Sequence, residues 1–222
     1  MVAKAVTRIW CSFVIVMLLA GYSFAAEVYQ VAKIVDGDTF VLTNGQRVRL
    51  AYVDTPEIKS DKRKEQYFAT DAKMFLTEVV LHKEVVLQKI ISQDRYGRVV
   101  AIVNYRNNLD LGSFLVQKGA AFVYPHGKRD KFYIAGLLQL QKDAMQSKVG
   151  MWKRAITYFK SAGKVIGNRR SKRSFAITCS NAQSIAKRNR VYFDSAVEAF
   201  YNGYAPARVC KLWPNTTDIL LE

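Results

Sequence analysis

Acidic and basic side chains gather in one stretch of the chain, residues 35–57, where their types suit phosphate chemistry. Within it lie Asp38, Arg49, Asp54 and Glu57. Two alternating segments flank a turn here, so we expect a hairpin to bring these groups together. Carboxylates held together are costly unless a cation binds, and the arginine favours an anion. A hard metal ion with a phosphate would satisfy them, whereas a plain solvated hairpin would explain the turn pairs but not Arg49 and Glu57.

The hairpin itself is predicted from residue type. Segments 39–43 and 47–53 alternate and are rich in residues that favour strands. Asn44-Gly45 lies between them, and this dipeptide favours a type I′ turn because both residues tolerate positive φ.

The composition indicates a folded, strongly basic protein. The chain has 222 residues, half of them hydrophobic, and a formal net charge of +16. This length allows one ordinary domain and something smaller. The excess of positive charge favours an anionic partner, either nucleic acid or an anionic membrane surface.

Residues 1–25 have the pattern of a secretory signal peptide. Lys4 and Arg8 precede an apolar run at 9–20, and small residues precede a cleavage position after Ala25. The run is short for a membrane span, although an uncleaved anchor is the alternative. We therefore expect a periplasmic or secreted protein.

Export bears on the cysteines. Cys11 leaves with the signal, and Cys179 and Cys210 remain. An even pair of cysteines in an oxidising compartment favours a disulfide.

The rest of the chain up to residue 154 alternates strands with helices. Strands are predicted at 28–35, 84–92, 99–105 and 120–124, and helices at 66–80, 110–118 and 133–147. A turn at 94–98 delivers Arg98 into the strand that follows, and Gly119 is expected as a left-handed helix end. This order suits a five-stranded Greek-key barrel with helices packed on it, an α+β fold of the oligonucleotide-binding (OB) type.

Five motifs in this order carry a family resemblance: D-G-D-T, R-L at Arg49, V-D-T-P-E, D-R-Y-G-R and G-M-W. Each is weak alone, but together, at compatible spacing from residue 28 to 152, the chain resembles the staphylococcal nuclease (thermonuclease) family. The resemblance implies a five-stranded OB barrel with three helices. It also implies calcium-dependent hydrolysis of DNA and RNA phosphodiester bonds that leaves 3′-phosphate ends.

The resemblance implies a calcium site made of oxygen ligands. The carboxylates of Asp38 and Asp54 and the backbone carbonyl of Thr55 match the family's ligands, and such donors are those that calcium prefers. Asp36 and Asp94 also match family positions, where turn geometry and local support are the expected roles.

The resemblance further assigns the reacting groups. Arg49 and Arg98 match the two catalytic arginines, whose forks suit the oxygens of a phosphodiester. Glu57 matches the catalytic glutamate, which we expect to act as general base. Tyr96 matches a tyrosine beside the nucleotide, and Tyr124 is a candidate for a similar contact.

Parts of the sequence are also compatible with two other functions. The same barrel without activity would be a single-stranded nucleic-acid-binding module, held by charge and aromatic rings. An acid-x-lysine triplet at 57–59 would suit a magnesium-dependent restriction-type nuclease, and His82 and His126 stand in no catalytic pattern. The retained acids and arginines favour an active enzyme on DNA and RNA, preferring single strands. We expect a monomer without a stable protein partner.

From residue 155 the composition changes. We predict a nuclease-like domain at 26–154, a basic linker at 155–173 and a small C-terminal module at 174–222, with a short helix at 196–201 ended by Gly203.

The C-terminal segment resembles a zinc-binding module akin to that of the Ada repair protein, in a degenerate form. Phe175 and Ala207 stand where that module has a histidine and a cysteine. Only Cys179 and Cys210 match the remaining ligands, and two sulfurs cannot close a tetrahedral zinc site. We therefore expect no zinc and a Cys179–Cys210 disulfide.

Overall fold

The structure is a computed structural model that describes residues 27–61, 64–106, 108–127, 129–159, 163–210 and 212–220. The predicted signal peptide at 1–25 lies outside the described residues. Among the helices of the described ranges, none combines the length and the apolar character that crossing a membrane requires.

The described residues form twelve strands and seven α-helices. The strands are β1 (Val28–Ile34), β2 (Thr39–Leu42), β3 (Arg47–Leu50), β4 (Val53–Asp54), β5 (Glu84–Gln93), β6 (Val99–Tyr105), β7 (Leu109–Asp110), β8 (Phe122–Val123), β9 (Val165–Asn168), β10 (Arg173–Ala176), β11 (Arg190–Phe193) and β12 (Ala205–Pro206). The helices are α1 (Ala69–Val80), α2 (Leu111–Gln117), α3 (Lys131–Gln146), α4 (Trp152–Tyr158), α5 (Ser180–Gln183), α6 (Ala196–Tyr201) and α7 (Thr216–Leu220).

The predicted five-stranded barrel is confirmed. Strands β3, β2, β1, β5 and β6 pair in that order, and a parallel pairing of β3 with β6 closes the barrel. Strand β7 extends β6, whereas β4 pairs with β8 so that Asp54 lies opposite Phe122. The strand predicted at 120–124 is thus reduced to the two residues of β8.

The turn of the first hairpin differs from the expected type I′. The amide of Gly45 donates to the carbonyl of Leu42 at 2.9 Å, and only Gly45 of the central pair has a positive φ, of 82°. The loop is therefore a turn followed by one left-handed glycine, the other common geometry for a short hairpin. The amide of Gln46 donates to the Asn44 side chain at 2.9 Å, which gives the asparagine a different role from the expected one.

Helix ends fix how the helices pack on the barrel. Asp110 and Asp130 cap α2 and α3, each accepting a hydrogen bond from a backbone amide of the first turn. Gly119 follows α2 at φ 61°, as predicted, and a Cβ there would lie 2.2 Å from the Val149 carbonyl oxygen. This close approach fixes the segment that leads into α4. Trp152 at the start of α4 is buried, as the G-M-W motif indicates.

The described residues from 163 to 220, here called the C-terminal module, form a second sheet. Its strand order is β11-β9-β10-β12, with β10 and β12 parallel. The predicted linker at 155–173 is therefore folded in part, since it supplies most of α4 and all of β9. Helix α6 has the predicted bounds, and the predicted disulfide joins Cys179 to Cys210 with their Cα atoms 5.7 Å apart.

An aromatic cluster fastens the C-terminal module to the barrel. The ring of Phe122 lies 4.7 Å from Trp213, 5.4 Å from Phe200 and 5.4 Å from Trp152, measured between centroids. The buried side chain of Gln141 also accepts from the amide of Val123 and donates to the carbonyl of Phe200. Because Phe122 and Val123 form β8, this packing holds the module beside Asp54.

Candidate active site

The first hairpin places Arg49 between two carboxylates. Its Nη1 lies 2.7 Å from Asp38 Oδ1, and its Nη2 lies 2.8 Å from Asp54 Oδ1. The amide of Leu50 donates to the carbonyl of Asp38 at 2.9 Å, which ties the end of β3 to the start of β2. All three charged side chains are mostly buried. The structure thus brings together the residues that the hairpin pattern predicted.

The turn before β2 supports Asp38. Its Oδ1 accepts from the hydroxyl of Thr39 at 2.9 Å, and its Oδ2 accepts from the amide of Thr55 at 3.2 Å. The side chain of Asp36 accepts from the amide of Asp38 at 3.1 Å, in keeping with the expected turn role. Burial, and then the charge of Asp38, raise the pKa of Asp36 to about 7. A Cβ on Gly37 would lie 2.8 Å from the Thr55 hydroxyl oxygen, so this turn needs glycine.

A second turn holds Arg98. Asp94 Oδ1 accepts from the amides of Tyr96 and Arg98 at 2.9 and 3.0 Å. Asp94 Oδ2 accepts from Arg98 Nε at 2.8 Å and lies 2.7 Å from its Nη2. One carboxylate therefore shapes the turn and orients the arginine, whose Nη1 reaches the hydroxyl of Thr39 at 3.3 Å. The side chains of Arg98 and Asp38 consequently share Thr39 as a neighbour.

Glu57 follows β4 and is fixed through its backbone. Its amide donates to the side-chain carbonyl of Gln66 at 2.7 Å, and its carbonyl accepts from the amide of Gln66 at 2.9 Å. The side chain of Glu57 keeps 24% of its surface exposed. We call Asp38, Asp54 and Glu57 the carboxylate cluster.

Two arginines that the sequence analysis did not assign to the site reach the carboxylate cluster from the C-terminal module. Arg173 Nη1 lies 2.5 Å from Asp54 Oδ2, and Arg208 Nη2 lies 2.6 Å from Asp54 Oδ1. The same Arg208 nitrogen lies 2.5 Å from Glu57 Oε1. We call Arg173 and Arg208 the module arginines.

The surroundings of Asp54 keep its carboxylate ionised. Burial alone would raise the pKa of Asp54, but Arg173, Arg208 and Arg49 outweigh it and hold the pKa far below its usual range. The same carboxylates hold the pKa values of these arginines above their usual range, against the effect of burial. Asp54 and these arginines therefore form a network of ion pairs.

A cavity of about 610 Å³ adjoins this network. Its walls include five arginines and three tyrosines: Arg49, Arg95, Arg98, Arg173, Arg208, Tyr52, Tyr96 and Tyr124. Such a volume is typical of ligand pockets, and guanidinium groups suit phosphate oxygens.

Tyr96 and Tyr124 contribute to the cavity in different ways. The Arg173 guanidinium lies 3.6 Å from the ring centroid of Tyr124, which also stacks on His126. Tyr96 is 62% exposed and lies beside Arg98. Exposed rings beside arginines are the kind of surface on which nucleic-acid bases stack.

The donor types at the carboxylate cluster fit a hard cation. Asp38 and Asp54 offer carboxylate oxygens and Thr55 a carbonyl, the ligands that calcium prefers. In the arrangement observed, however, both oxygens of Asp54 accept from arginines. No group of three or more His, Cys, Asp or Glu side chains in the described ranges has a metal-binding arrangement. A cation therefore fits only if the module arginines move, and calcium stays a prediction.

A small closed barrel that sets carboxylates and arginines beside a cavity suits an enzyme that acts on phosphodiesters. Comparison with known proteins agrees with this class. A family model described as "Staphylococcal nuclease homologue" matches residues 47–154. The chain therefore belongs to the staphylococcal nuclease family, and it is a phosphodiester hydrolase whose substrate is nucleic acid.

Individual relatives support the assignment. An uncharacterized endonuclease of Escherichia coli is 32% identical over 126 residues, which cover 55% of this chain and 75% of the relative. A thermonuclease of Staphylococcus intermedius is 31% identical over 132 residues, covering 58% and 77%. A micrococcal nuclease of Shigella flexneri is 32% identical over 136 residues, covering 55% and 72%. These similarities favour an enzyme over the inactive binding barrel. The family match ends at residue 154, so the resemblance of the tail to a zinc module remains a prediction.

Proposed function

We propose that this protein is an exported nuclease that depends on calcium, hydrolyses DNA and RNA, and leaves 3′-phosphate ends. The observation that carries the proposal is the pair of arginines held by separate carboxylates at one cavity. Asp38 and Asp54 hold Arg49, and Asp94 holds Arg98.

Arg49 and Arg98 stabilise the phosphodiester as charge builds on its oxygens. Each guanidinium is already fixed by carboxylates, so little reorganisation is needed when the phosphate arrives. Both arginines line the same cavity. A phosphate bound in this cavity would therefore lie near both guanidinium groups.

Glu57 takes the proton of the attacking water. A general base must lie within reach of the water and keep its carboxylate ionised. Glu57 lies at the edge of the carboxylate cluster and is partly exposed, which leaves access for water. Its Oε1 also lies 2.5 Å from Arg208 Nη2.

Calcium would be held by the carboxylates of Asp38 and Asp54 and by the carbonyl of Thr55. When bound, the ion would supply positive charge to a phosphate oxygen and to the attacking water. The supporting observation is chemical: the buried donors are all oxygens, which suit a hard cation.

The substrate is taken as a single strand. Tyr96 is exposed beside the cavity, and stacking on such a ring needs bases that are not paired. The high positive charge of the chain favours any polynucleotide backbone. We further propose that the protein acts as a monomer after export to the periplasm or the medium, on the basis of the signal-like residues 1–25.

The C-terminal module is proposed to be a degenerate zinc module in which a disulfide replaces the metal. Phe175 and Ala207 occupy the positions of two lost ligands, and the two remaining ligand positions are Cys179 and Cys210. Their disulfide ties β10, which precedes Cys179, to the segment after β12.

The test is cleavage of heat-denatured DNA by the purified chain in calcium, in magnesium and in excess chelator. The proposal expects cleavage in calcium, none in chelator, and products that accept a label at the 3′ end only after phosphatase treatment. Asp38→Asn should lose the calcium response while remaining folded. Cleavage in magnesium alone would favour the restriction-type alternative, and binding without cleavage in every metal would contradict the proposal.

A further inference from the structure

The module arginines are fixed in place by the fold of the C-terminal module. Arg173 begins β10 and pairs in register with Ala205 of β12. Its Nη1 also donates to the carbonyl of Pro206 at 2.9 Å. Arg208 follows β12 by two residues and precedes the disulfide-bonded Cys210 by two. One parallel strand pair therefore presents both guanidinium groups to Asp54.

The charges of these arginines equal the charge that a divalent cation would bring. The three acids of the carboxylate cluster and Arg49 together leave two negative charges. Arg173 and Arg208 supply two positive charges at hydrogen-bond distance. With these two arginines, the formal charges of the three acids and of Arg49 sum to zero.

The module arginines and a cation would also need the same atoms. Asp54 Oδ2 accepts from Arg173, and Asp54 Oδ1 accepts from Arg208 and Arg49. A divalent ion bound at these oxygens would lie within a few ångströms of the guanidinium groups. Like charges so close in a partly buried site repel strongly, so both cannot occupy Asp54 together.

We propose that Arg173 and Arg208 act as a built-in counter-ion that competes with the catalytic cation for Asp54. The site then has two arrangements, one held by arginine and one held by the metal ion. This inference rests on the proposed calcium dependence, because it concerns the affinity of the same site for that ion.

The released arginines have another anion to contact. Both line the cavity in which the substrate phosphate would bind, and Arg173 stacks on Tyr124 there. A polynucleotide would therefore draw the guanidinium groups away from Asp54. By thermodynamic linkage, substrate that favours this arrangement must also tighten binding of the cation.

The experiment is titration of calcium into the purified, oxidised chain, followed by calorimetry in the absence of substrate. The variant is Arg173→Gln with Arg208→Gln, which keeps the approximate length of both side chains and removes their charge. The matched control is Arg169→Gln with Arg188→Gln, since both arginines are exposed in the same module and contact no carboxylate in the described site.

The proposal expects the double variant to bind calcium about tenfold more tightly than the wild type, a coupling of ordinary size. The control should bind as the wild type does. Equal affinity of all three proteins, or no binding by any of them, would overturn the proposal.

Thermal unfolding gives a second readout that does not depend on activity. Without calcium, the double variant leaves Asp54 and Glu57 with fewer partners, so its melting temperature should fall below that of the control. Calcium should raise the melting temperature of the double variant more than that of the wild type. An equal rise in both proteins would count against the competition. If the double variant does not fold, the single variant Arg208→Gln is compared with the single control Arg188→Gln.

These readouts separate the two proposals. Loss of cleavage in every metal, with a large difference in calcium affinity, would contradict the proposed function alone. Calcium-dependent cleavage with equal affinities would contradict the competition alone.

Discussion

The barrel and the C-terminal module both contribute arginines to the site, but the positions of these arginines are fixed in different ways. Arg49 comes from β3, five residues before its partner Asp54, and Arg98 is set by a turn that begins four residues earlier. Arg173 and Arg208 come from positions 119 and 154 residues away from Asp54. The barrel arginines are therefore fixed by local structure, whereas the module arginines depend on docking.

The site therefore contains two kinds of positive charge. Arg49 and Arg98 belong to the barrel, and the carboxylates that hold them, Asp38, Asp54 and Asp94, belong to it as well. Arg173 and Arg208 are attached to a separate sheet and contact the cluster only while the module is seated through Phe122 and Trp213. We propose that the first pair acts on the substrate phosphate and that the second balances the charge of the carboxylate cluster before the cation binds.

The largest expected effect lies with the proposed general base. Glu57→Gln removes proton acceptance while keeping the size of the side chain, and it should lower kcat by about 10²–10⁴-fold. Single-turnover cleavage of denatured DNA in saturating calcium measures it, with Glu65→Gln as the control in the adjoining loop. Activity within about tenfold of the wild type would remove the general-base role.

A substitution of Arg49 tests whether the arginine that the barrel holds between Asp38 and Asp54 is needed for catalysis. Arg49→Lys keeps the charge but loses the fork that joins Asp38 to Asp54, and should lower kcat by about 10²–10³-fold. The control is Arg47→Lys, an exposed arginine on the same strand. Initial rates at saturating substrate compare the two variants. Equal losses in both would show that the effect is not specific to the fork of Arg49.

Removal of the disulfide tests how much the Cys179–Cys210 bond stabilises the C-terminal module. Cys179→Ser with Cys210→Ser opens a loop of 31 residues and should lower the free energy of unfolding by about 3–4 kcal/mol. Urea unfolding followed by tryptophan fluorescence measures it, because Trp152 and Trp213 both lie in the cluster that joins module and barrel. An unchanged unfolding midpoint would mean that the module is held by its aromatic packing alone.

Tyr96 should give the smallest effect. Tyr96→Ala removes an exposed ring beside the cavity and should raise KM by about tenfold with little change in kcat, since stacking is worth about 1–3 kcal/mol per base. The control is Tyr192→Ala, which removes an equally exposed tyrosine from β11. A change confined to kcat would show that Tyr96 acts on the reaction and not on binding.

The sequence was sufficient to predict those parts of the site that are built by short, continuous segments of the chain. Alternation and the Asn-Gly pair predicted the hairpin that joins Asp38 to Arg49, and the D-R-Y-G-R turn predicted the placement of Arg98. The turn type was wrong because Asn-Gly suits two hairpin geometries, and only the hydrogen bonds of Leu42 distinguish them.

The module arginines could not be predicted in the same way. Arg173 ends a strongly basic run, where each arginine has the same local pattern as its neighbours. Their roles follow from the parallel pairing of β10 with β12 and from the docking of Phe200 and Trp213 on β8, contacts that local periodicity does not encode. The same long-range pairing explains why residues 165–168, expected in a linker, form a strand.

The most direct test of the shared site is a pair of crystal structures of the oxidised chain, one grown in chelator and one in calcium. In chelator, Arg173 and Arg208 should contact Asp54 as described here. In calcium, the ion should be bound by Asp38 and Asp54, with both module arginines beyond hydrogen-bond distance of Asp54. Calcium bound at Asp54 with both ion pairs intact would contradict the competition between the module arginines and the cation.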